Sequence, residues 1–299
     1  MSHVLTLIAT RGSHDLLAKV TEEVRGPLVA GRPAFWLAPG EACDIPFEPA
    51  SEAALADARQ LVERIVGTVP IDAAIQPVEG RRKRLLVADM DSTIIQQECL
   101  DEMATLAGIG PQIAAITDRA MRGELDFEAA LRERIGLLRG FPLSRAREVL
   151  DTRITLTPGA RALTGTMRAN GGRCVLVSGG FTVFTSAVAK LAGFDADFGN
   201  SFLIEEDAIA GVAEPILGQD AKRATLLAEA ATLGVGPNEA VAVGDGANDL
   251  AMLKTAGLGV AFHAKPIVAR EAAVRIKHGD LTSLLFLQGY QRKDFVDHL

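Results

Sequence analysis

Cysteine is scarce: three residues, Cys43, Cys99 and Cys174, in a chain of 299. Their number is odd and their spacing is not that of a metal site, which excludes a disulfide framework and points to a reducing compartment. No apolar run approaches the roughly 20 residues that a bilayer requires, so no membrane span is expected. The N-terminus lacks a basic segment followed by a long apolar core. No signal peptide is therefore expected, and a cytoplasmic location is the default. Positive charge is also short. The formal net charge is −7, which argues against nucleic acid or an anionic membrane surface as a partner. No Gly-x-x-x-x-Gly-Lys-Ser/Thr loop occurs, which disfavours a nucleotide kinase. Aromatic residues make up only 5% of the chain, and frequent alanine in their place suits helix-rich α/β packing. The 48% hydrophobic and 23% charged fractions are those of a soluble globular protein. The length accommodates two domains.

The first part of the chain reads as a small α+β unit over residues 1–76. Val4 to Ala9 is an apolar strand, and Ser13 caps a helix to about Val24. Ala34 to Ala38 and Asp44 to Phe47 are further strands, the latter interrupted by Pro46. Ser51 opens a helix whose apolar face is Leu55, Ala58, Leu61, Val62 and Ile65. Ile71 to Ile75 closes a βαββαβ order, which is a ferredoxin-like arrangement. Residues 77–84, with the run Arg81-Arg82-Lys83-Arg84, read as a solvated linker.

Residues 85–299 follow a different rhythm. Leu85 to Ala88 form a short, continuously apolar strand, as in a sheet covered on both faces. It ends in Asp89-Met90-Asp91-Ser92-Thr93. Four short helices without strands come next, over about 97–152, punctuated by Gly108, Gly110-Pro111, Gly123, Gly140 and Pro142. They read as a lid. Asp126 is an N-cap, and Phe127, Leu131, Arg134 and Leu138 share one helix face. From Pro158 the βα alternation returns. Cys174 to Val177 ends in Ser178-Gly179-Gly180. A hairpin is expected around Glu205-Glu206-Asp207. A helix opened by Asp220 carries Lys222 on its first turn. Ala240 to Val243 ends in Gly244-Asp245-Gly246-Ala247-Asn248-Asp249.

Three apolar strands thus end in polar loops, and in a parallel sheet such loops converge on one edge. Two carboxylates as close as Asp89 and Asp91 repel unless a cation or a proton lies between them. Turn and capping roles explain each loop singly; their joint occurrence with Lys222 points to a catalytic centre.

This constellation resembles the haloacid dehalogenase (HAD) superfamily. Asp89-x-Asp91-x-Thr93 is similar to its first motif, Ser178-Gly179-Gly180 to its second, Lys222 to its third and Gly244-Asp245-Gly246-Ala247-Asn248-Asp249 to its fourth. The resemblance covers residues from about 84 to the end. It implies a doubly wound parallel-sheet core with a helical cap insertion. It implies Asp89 as nucleophile and Asp91 as general acid/base. It further implies Mg²⁺, with Mn²⁺ also suited, held by Asp89, the Asp91 backbone carbonyl and Asp245 and supported by Asp249. Lys222, Ser178, Gly179 and Asn248 would hold the phosphoryl oxygens.

Within the superfamily the lid looks like that of the phosphoserine phosphatase family. Glu98 would pair a substrate ammonium and Arg134 would clamp its carboxylate. Met121 and Phe127 would close the pocket, and Thr182 would lie near the carboxylate. That resemblance implies hydrolysis of O-phospho-L-serine to L-serine and phosphate, the last step of serine synthesis. The N-terminal unit resembles the ACT regulatory domain, which implies an amino-acid effector or an assembly role and a homodimer. The residues leave open another small phosphate such as phosphohomoserine, a phosphotransferase, and an amino-acid-binding regulatory protein.

Overall fold

The computed structural model describes residues 1–10, 12–28, 32–67, 69–121 and 124–297, the side chains of Met121 and Gln219 apart. The N-terminal unit consists of β1 (His3–Ala9), α1 (His14–Arg25), β2 (Phe35–Ala38), β3 (Ala42–Phe47), α2 (Glu52–Val66) and β4 (Ile71–Pro77). Its antiparallel sheet has the order β2-β3-β1-β4, so the βαββαβ expectation is met. Ser51 caps α2 by accepting from Ala54 N at 3.2 Å. Pro46 does not interrupt β3. It pairs with Val4 of β1 and lies past the start of β2, whose pairing begins at Phe35 with Asp44. Its missing N–H therefore costs no ladder bond on that side.

The second unit begins with β5 (Leu85–Ala88), followed by the lid helices α3 (Cys99–Ala107), α4 (Gly110–Met121), α5 (Phe127–Leu137) and α6 (Leu143–Arg153). Asp126 caps α5, its Oδ1 accepting from Ala129 N at 2.7 Å. Then come α7 (Ala160–Ala169), β6 (Arg173–Phe181), α8 (Thr182–Ala192), β7 (Ala196–Asn200) and the hairpin β8 (Phe202–Glu205) and β9 (Ala208–Val212). The chain finishes with α9 (Gln219–Thr232), β10 (Ala240–Gly244), α10 (Leu250–Thr255), β11 (Leu258–Phe262), α11 (Pro266–Glu271), β12 (Val274–Ile276) and α12 (Ser283–Leu287).

The large sheet has the order β12-β11-β10-β5-β6-β7, and every pairing in it is parallel. β5 lies between β6 and β10, where the winding reverses. The carboxyl ends of these three strands therefore flank a topological switch point, the place where open α/β sheets carry their sites. Alternate residues of β5 enter different cores: Leu86 and Ala88 on one face, Leu85 and Val87 on the other. That is why the strand is apolar throughout. β7 and β12 were not expected from the sequence, being short and mixed in character. β6 also continues through Ser178-Gly179-Gly180 to Phe181, where a strand-terminating loop was expected.

Residues 78–84 are mostly exposed, but the side chains of Arg81, Arg82 and Lys83 are engaged by the protein. Arg81 pairs with Asp44 of β3 at 2.7 Å, and its guanidinium also donates to Thr6 Oγ1, Phe286 O and Leu287 O. Arg82 stacks over Tyr290, 4.2 Å from the ring centroid. Lys83 donates to Gly80 O and Asn238 O. One apolar cluster spans the two units, with Ile8, Leu37, Ala38, Ala42 and Ala74 packed in it beside Leu284 to Leu287, while the first unit keeps a separate core of its own around Leu5, Leu17, Ile45 and Leu55.

Candidate active site

At the carboxyl edge of β5, β6 and β10, under the lid, lies a cavity of about 780 Å³. Its walls include Asp89, Asp91, Glu98, Phe127, Arg134, Ser178, Gly179, Asp245 and Asn248, all expected from the sequence.

Asp89 is the first residue beyond β5. Its N–H donates to Val243 O at 3.0 Å, tying it to β10. Its Oδ1 accepts from Met90 N at 2.8 Å and from Lys222 Nζ at 2.7 Å. Lys222, buried on the first turn of α9, also donates to Asp249 Oδ1 at 2.7 Å. The second oxygen of Asp249 accepts from Gly246 N at 2.9 Å. One ammonium is thus shared between two carboxylates. Burial first, then Asp249, pushes the Asp89 carboxyl well above the ordinary aspartate range, against the pull of Lys222. Burial opposes the Lys222 charge, but Asp89 and Asp249 outweigh it and hold the ammonium protonated.

Asp91 accepts from Cys99 N at 3.0 Å, at the start of α3, and lies 3.5 Å from Ser178 Oγ. Burial, reinforced by Glu98, pushes its carboxyl up to about 7. A group that titrates there is suited to proton transfer near neutrality. Ser178 Oγ itself accepts from Gly180 N at 2.9 Å. A Cβ on Gly180 would sit 3.2 Å from Asp91 Oδ2 and 3.1 Å from Ser178 Oγ, so a side chain there would push on both oxygens. Gly244 is more constrained: a Cβ there would lie 2.3 Å from the Asp249 carboxylate.

Asp245 ends β10 and faces Lys265 Nζ at 4.0 Å. Burial pushes its carboxyl up to about 6, with Lys265 pulling the other way. One oxygen from each of Asp89, Asp245 and Asp249 lies within 4.8 Å of the others. These hard oxygen donors, three acids against the buried Lys222 ammonium and the exposed Lys265 one at 4.0 Å, carry an excess of negative charge that a divalent cation would balance. The donor set fits Mg²⁺ or Mn²⁺.

At the lid end, Glu98 precedes α3, lines the cavity, and accepts from Ser92 Oγ at 2.7 Å. Ser92 reaches it from a left-handed backbone conformation, φ 53°. Arg134 lines the opposite part of the lid. Its Nε donates to Ala130 O at 3.3 Å, and its terminal nitrogens have no partner among the described residues. Burial lowers its pKa, with Asp101 and Glu98 opposing the shift. Phe127 packs against Gly179, within 3.0 Å of where a Cβ would stand.

Three of the expected site residues do not line this cavity: Lys222 and Asp249, which are bonded to each other and through Lys222 to Asp89, and Thr182. Thr182 begins α8 with its hydroxyl 3.4 Å from Ser201 Oγ and does not line the cavity. The turn from β6 into α8 carries Phe181 to the wall instead. Met121 ends α4, and its side chain lies outside the described residues. Sequence reasoning missed Lys265, the N-cap of α11, and Ile267 and Arg270 on that helix, all of which line the cavity. β11 ends in a polar stretch like the other three strands, and Pro266 marks a helix start. The same strand-end rule would have found them.

The arrangement can do three things: offer a buried carboxylate to an electrophile, surround an anionic group with an ammonium and donors, and move a proton at Asp91. The chain belongs to the haloacid dehalogenase-like hydrolase family, whose sequence model matches residues 86–254. Within it the chain is a phosphatase. It is 44% identical over 210 residues to a phosphoserine phosphatase of Albidiferax ferrireducens, covering 68% of this chain and 89% of that one. A phosphoserine phosphatase of Haemophilus influenzae is 44% identical over 204 residues, covering 68% of this chain and 65% of the relative. A solved structure of a probable phosphoserine phosphatase from Vibrio cholerae, unliganded, superimposes with a TM-score of 0.77. It is 30% identical and covers 98% of this chain and 88% of that one.

Proposed function

We propose that the chain hydrolyses O-phospho-L-serine to L-serine and phosphate, with Asp89 as nucleophile and an aspartyl-phosphate intermediate. This would be the last step of L-serine synthesis. One observation carries the reading: a phosphoryl-handling end (Asp89, Ser178 and Asn248, with Lys222 bonded to Asp89) and an amino-acid-handling end (Glu98, Arg134) line the same cavity.

Asp89 attacks phosphorus in line, which splits one difficult hydrolysis into two easier steps. Lys222, the Ser178 hydroxyl and the Gly179 amide stabilise charge on the phosphoryl oxygens, with Asn248 as a further donor. Asp91 gives its proton to the departing serine oxygen. It then takes one from the water that cleaves the acyl-phosphate. Glu98 pairs the substrate ammonium, and the free fork of Arg134 receives its carboxylate. Phe127 and the lid exclude bulk water. Mg²⁺ held by Asp89, the Asp91 carbonyl and Asp245 would supply charge neutralisation between the two anions, and Mn²⁺ suits the same donors. Asp249 supports that site by holding Lys222 and the Gly246 amide.

The N-terminal unit, residues 1–76, is proposed to be ACT-like, with an amino-acid effector or an assembly role in a homodimer. A cytoplasmic location belongs to the same reading; among the described residues no helix is long and apolar enough to cross a membrane.

The test is phosphate release from phosphoserine, phosphothreonine, phosphohomoserine, a sugar phosphate and an aryl phosphate, each with and without Mg²⁺. Metal-dependent preference for phosphoserine is the expected result. Metal-dependent release without that preference would remove the roles of Glu98 and Arg134. No release from any substrate would overturn the reading.

A further inference from the structure

A second crevice, of about 280 Å³, lies where the N-terminal unit meets the end of the parallel sheet. α2 and β4 form one side, and β12 with the turn after it forms the other. The floor is aliphatic, from Val62, Val66, Ile71 and Ile75, and the rim carries Arg59, Arg275 and Lys277.

The acids in this crevice are already engaged. Asp72 is buried on β4. Its Oδ1 accepts from Lys277 N at 2.8 Å; its Oδ2 accepts from His278 N at 3.0 Å and Gly279 N at 2.8 Å. Glu63 pairs with Arg275 at 2.8 Å. Among the described residues the Arg59 and Lys277 side chains make no hydrogen bond or close ion pair, although the Glu63 carboxyl, which Arg275 holds below the ordinary range, lies near enough to Lys277 to be lowered further by it. Two cations whose hydrogen-bonding capacity is unused thus stand beside aliphatic side chains, in a space just under the roughly 300 Å³ at which ligand pockets begin. Both units contribute to it, so an occupant would touch both.

We propose that this crevice binds a small aliphatic carboxylate, its anionic head between Arg59 and Lys277 and its hydrocarbon on the floor. Free phosphate would satisfy the rim and leave the floor wet; a nucleotide exceeds the space. β12 follows α11 after two residues, and α11 lines the catalytic cavity through Ile267 and Arg270. An occupant therefore bears on the segment that forms part of that wall. The proposal does not depend on the identity of the catalytic substrate.

The probe is isovalerate, measured by saturation-transfer NMR and titration on the full chain. The expected dissociation constant is about 1 mM. Binding should persist in Arg134→Ala and in Arg134→Ala/Arg270→Ala, which remove two of the three cations that line the catalytic cavity. It should weaken at least about tenfold in the double variant Arg59→Glu/Lys277→Glu. Both of these side chains are exposed, so the fold should survive; a urea midpoint checks it. No binding to the native chain would overturn the proposal. Loss in Arg134→Ala or Arg134→Ala/Arg270→Ala with retention in Arg59→Glu/Lys277→Glu would do the same by returning the anion to the catalytic cavity. Binding of inorganic phosphate but not isovalerate, sensitive to Arg59→Glu/Lys277→Glu, would overturn the aliphatic assignment.

Discussion

Replacing Arg134 by alanine separates a substrate clamp from a structural arginine. The side chain is part-buried on α5, yet among the described residues its only hydrogen bond is a long one from Nε to Ala130 O, 3.3 Å. The two terminal nitrogens are unpaired among the described residues, so removing them orphans no buried acid. The stability cost is that of the aliphatic stem alone, at most about 1 kcal/mol. The catalytic cost is larger. Hydrogen bonds to charged groups contribute about 1.5–3 kcal/mol each. A forked pair that is partly redundant amounts to roughly 3 kcal/mol, or about a hundredfold in kcat/KM. That loss applies only to a substrate with a carboxylate. The assay is kcat/KM for phosphoserine and for an aryl phosphate, beside the urea midpoint. Phosphoserine should lose about a hundredfold and the aryl phosphate less than about threefold. Arg134→Lys should fall between, since it keeps the charge and loses the fork. Equal losses on both substrates, or a large drop in midpoint, would refute the reasoning.

Asp89→Asn should abolish turnover and leave the urea midpoint close to native; retained turnover would remove the nucleophile assignment. Lys222→Met leaves Asp89 and Asp249 buried without their shared cation and should cost about 3–5 kcal/mol in urea unfolding with EDTA at neutral pH. That cost should shrink in acid, where the carboxyls take up protons; a pH-independent cost would contradict the pairing. Arg81→Met removes the partner of buried Asp44 and should lower stability by a similar amount, about 3–5 kcal/mol. Activity per folded molecule should be unchanged, and a lost kcat in the folded fraction would place Arg81 in the chemistry. The Asp245 carboxyl, raised to about 6, contributes stability to the metal-free protein that is complete below the ordinary aspartate pKa. This contribution is lost as pH rises through about 6. A divalent cation must displace that proton, so Mg²⁺ should raise the melting temperature more at about pH 8 than at about pH 5. An equal or larger shift in acid would exclude Asp245 as a ligand.

Much of the site was legible because its parts are local. Asp89, Ser178 and Asp245 each follow a short apolar run, and the rule that parallel strands present chemistry at their carboxyl ends brings them together. The lid was legible as a strand-free stretch punctuated by glycine and proline. Thr182 failed for a local reason: β6 runs on through Phe181, so α8 starts with Thr182 turned towards Ser201. Arg81 failed for a non-local one. A basic run beside glycine has the composition of a solvated connector. Nothing in the adjacent sequence announces that Asp44, 37 residues earlier, needs a cation.

By itself the sequence determined the two units, the order of elements in the first, the apolar centre of the parallel sheet and the residue types at three strand ends. All of these follow from periodicity and local propensity, which act over a few residues. The tertiary structure decided the rest. It set Lys222 between Asp89 and Asp249, raised the Asp91 carboxyl through burial, added Lys265 and Arg270 to the cavity and joined the two units through one shared apolar cluster. These depend on which groups burial forces together across long stretches of chain. A charge's partner and its distance from water are properties of the packed molecule.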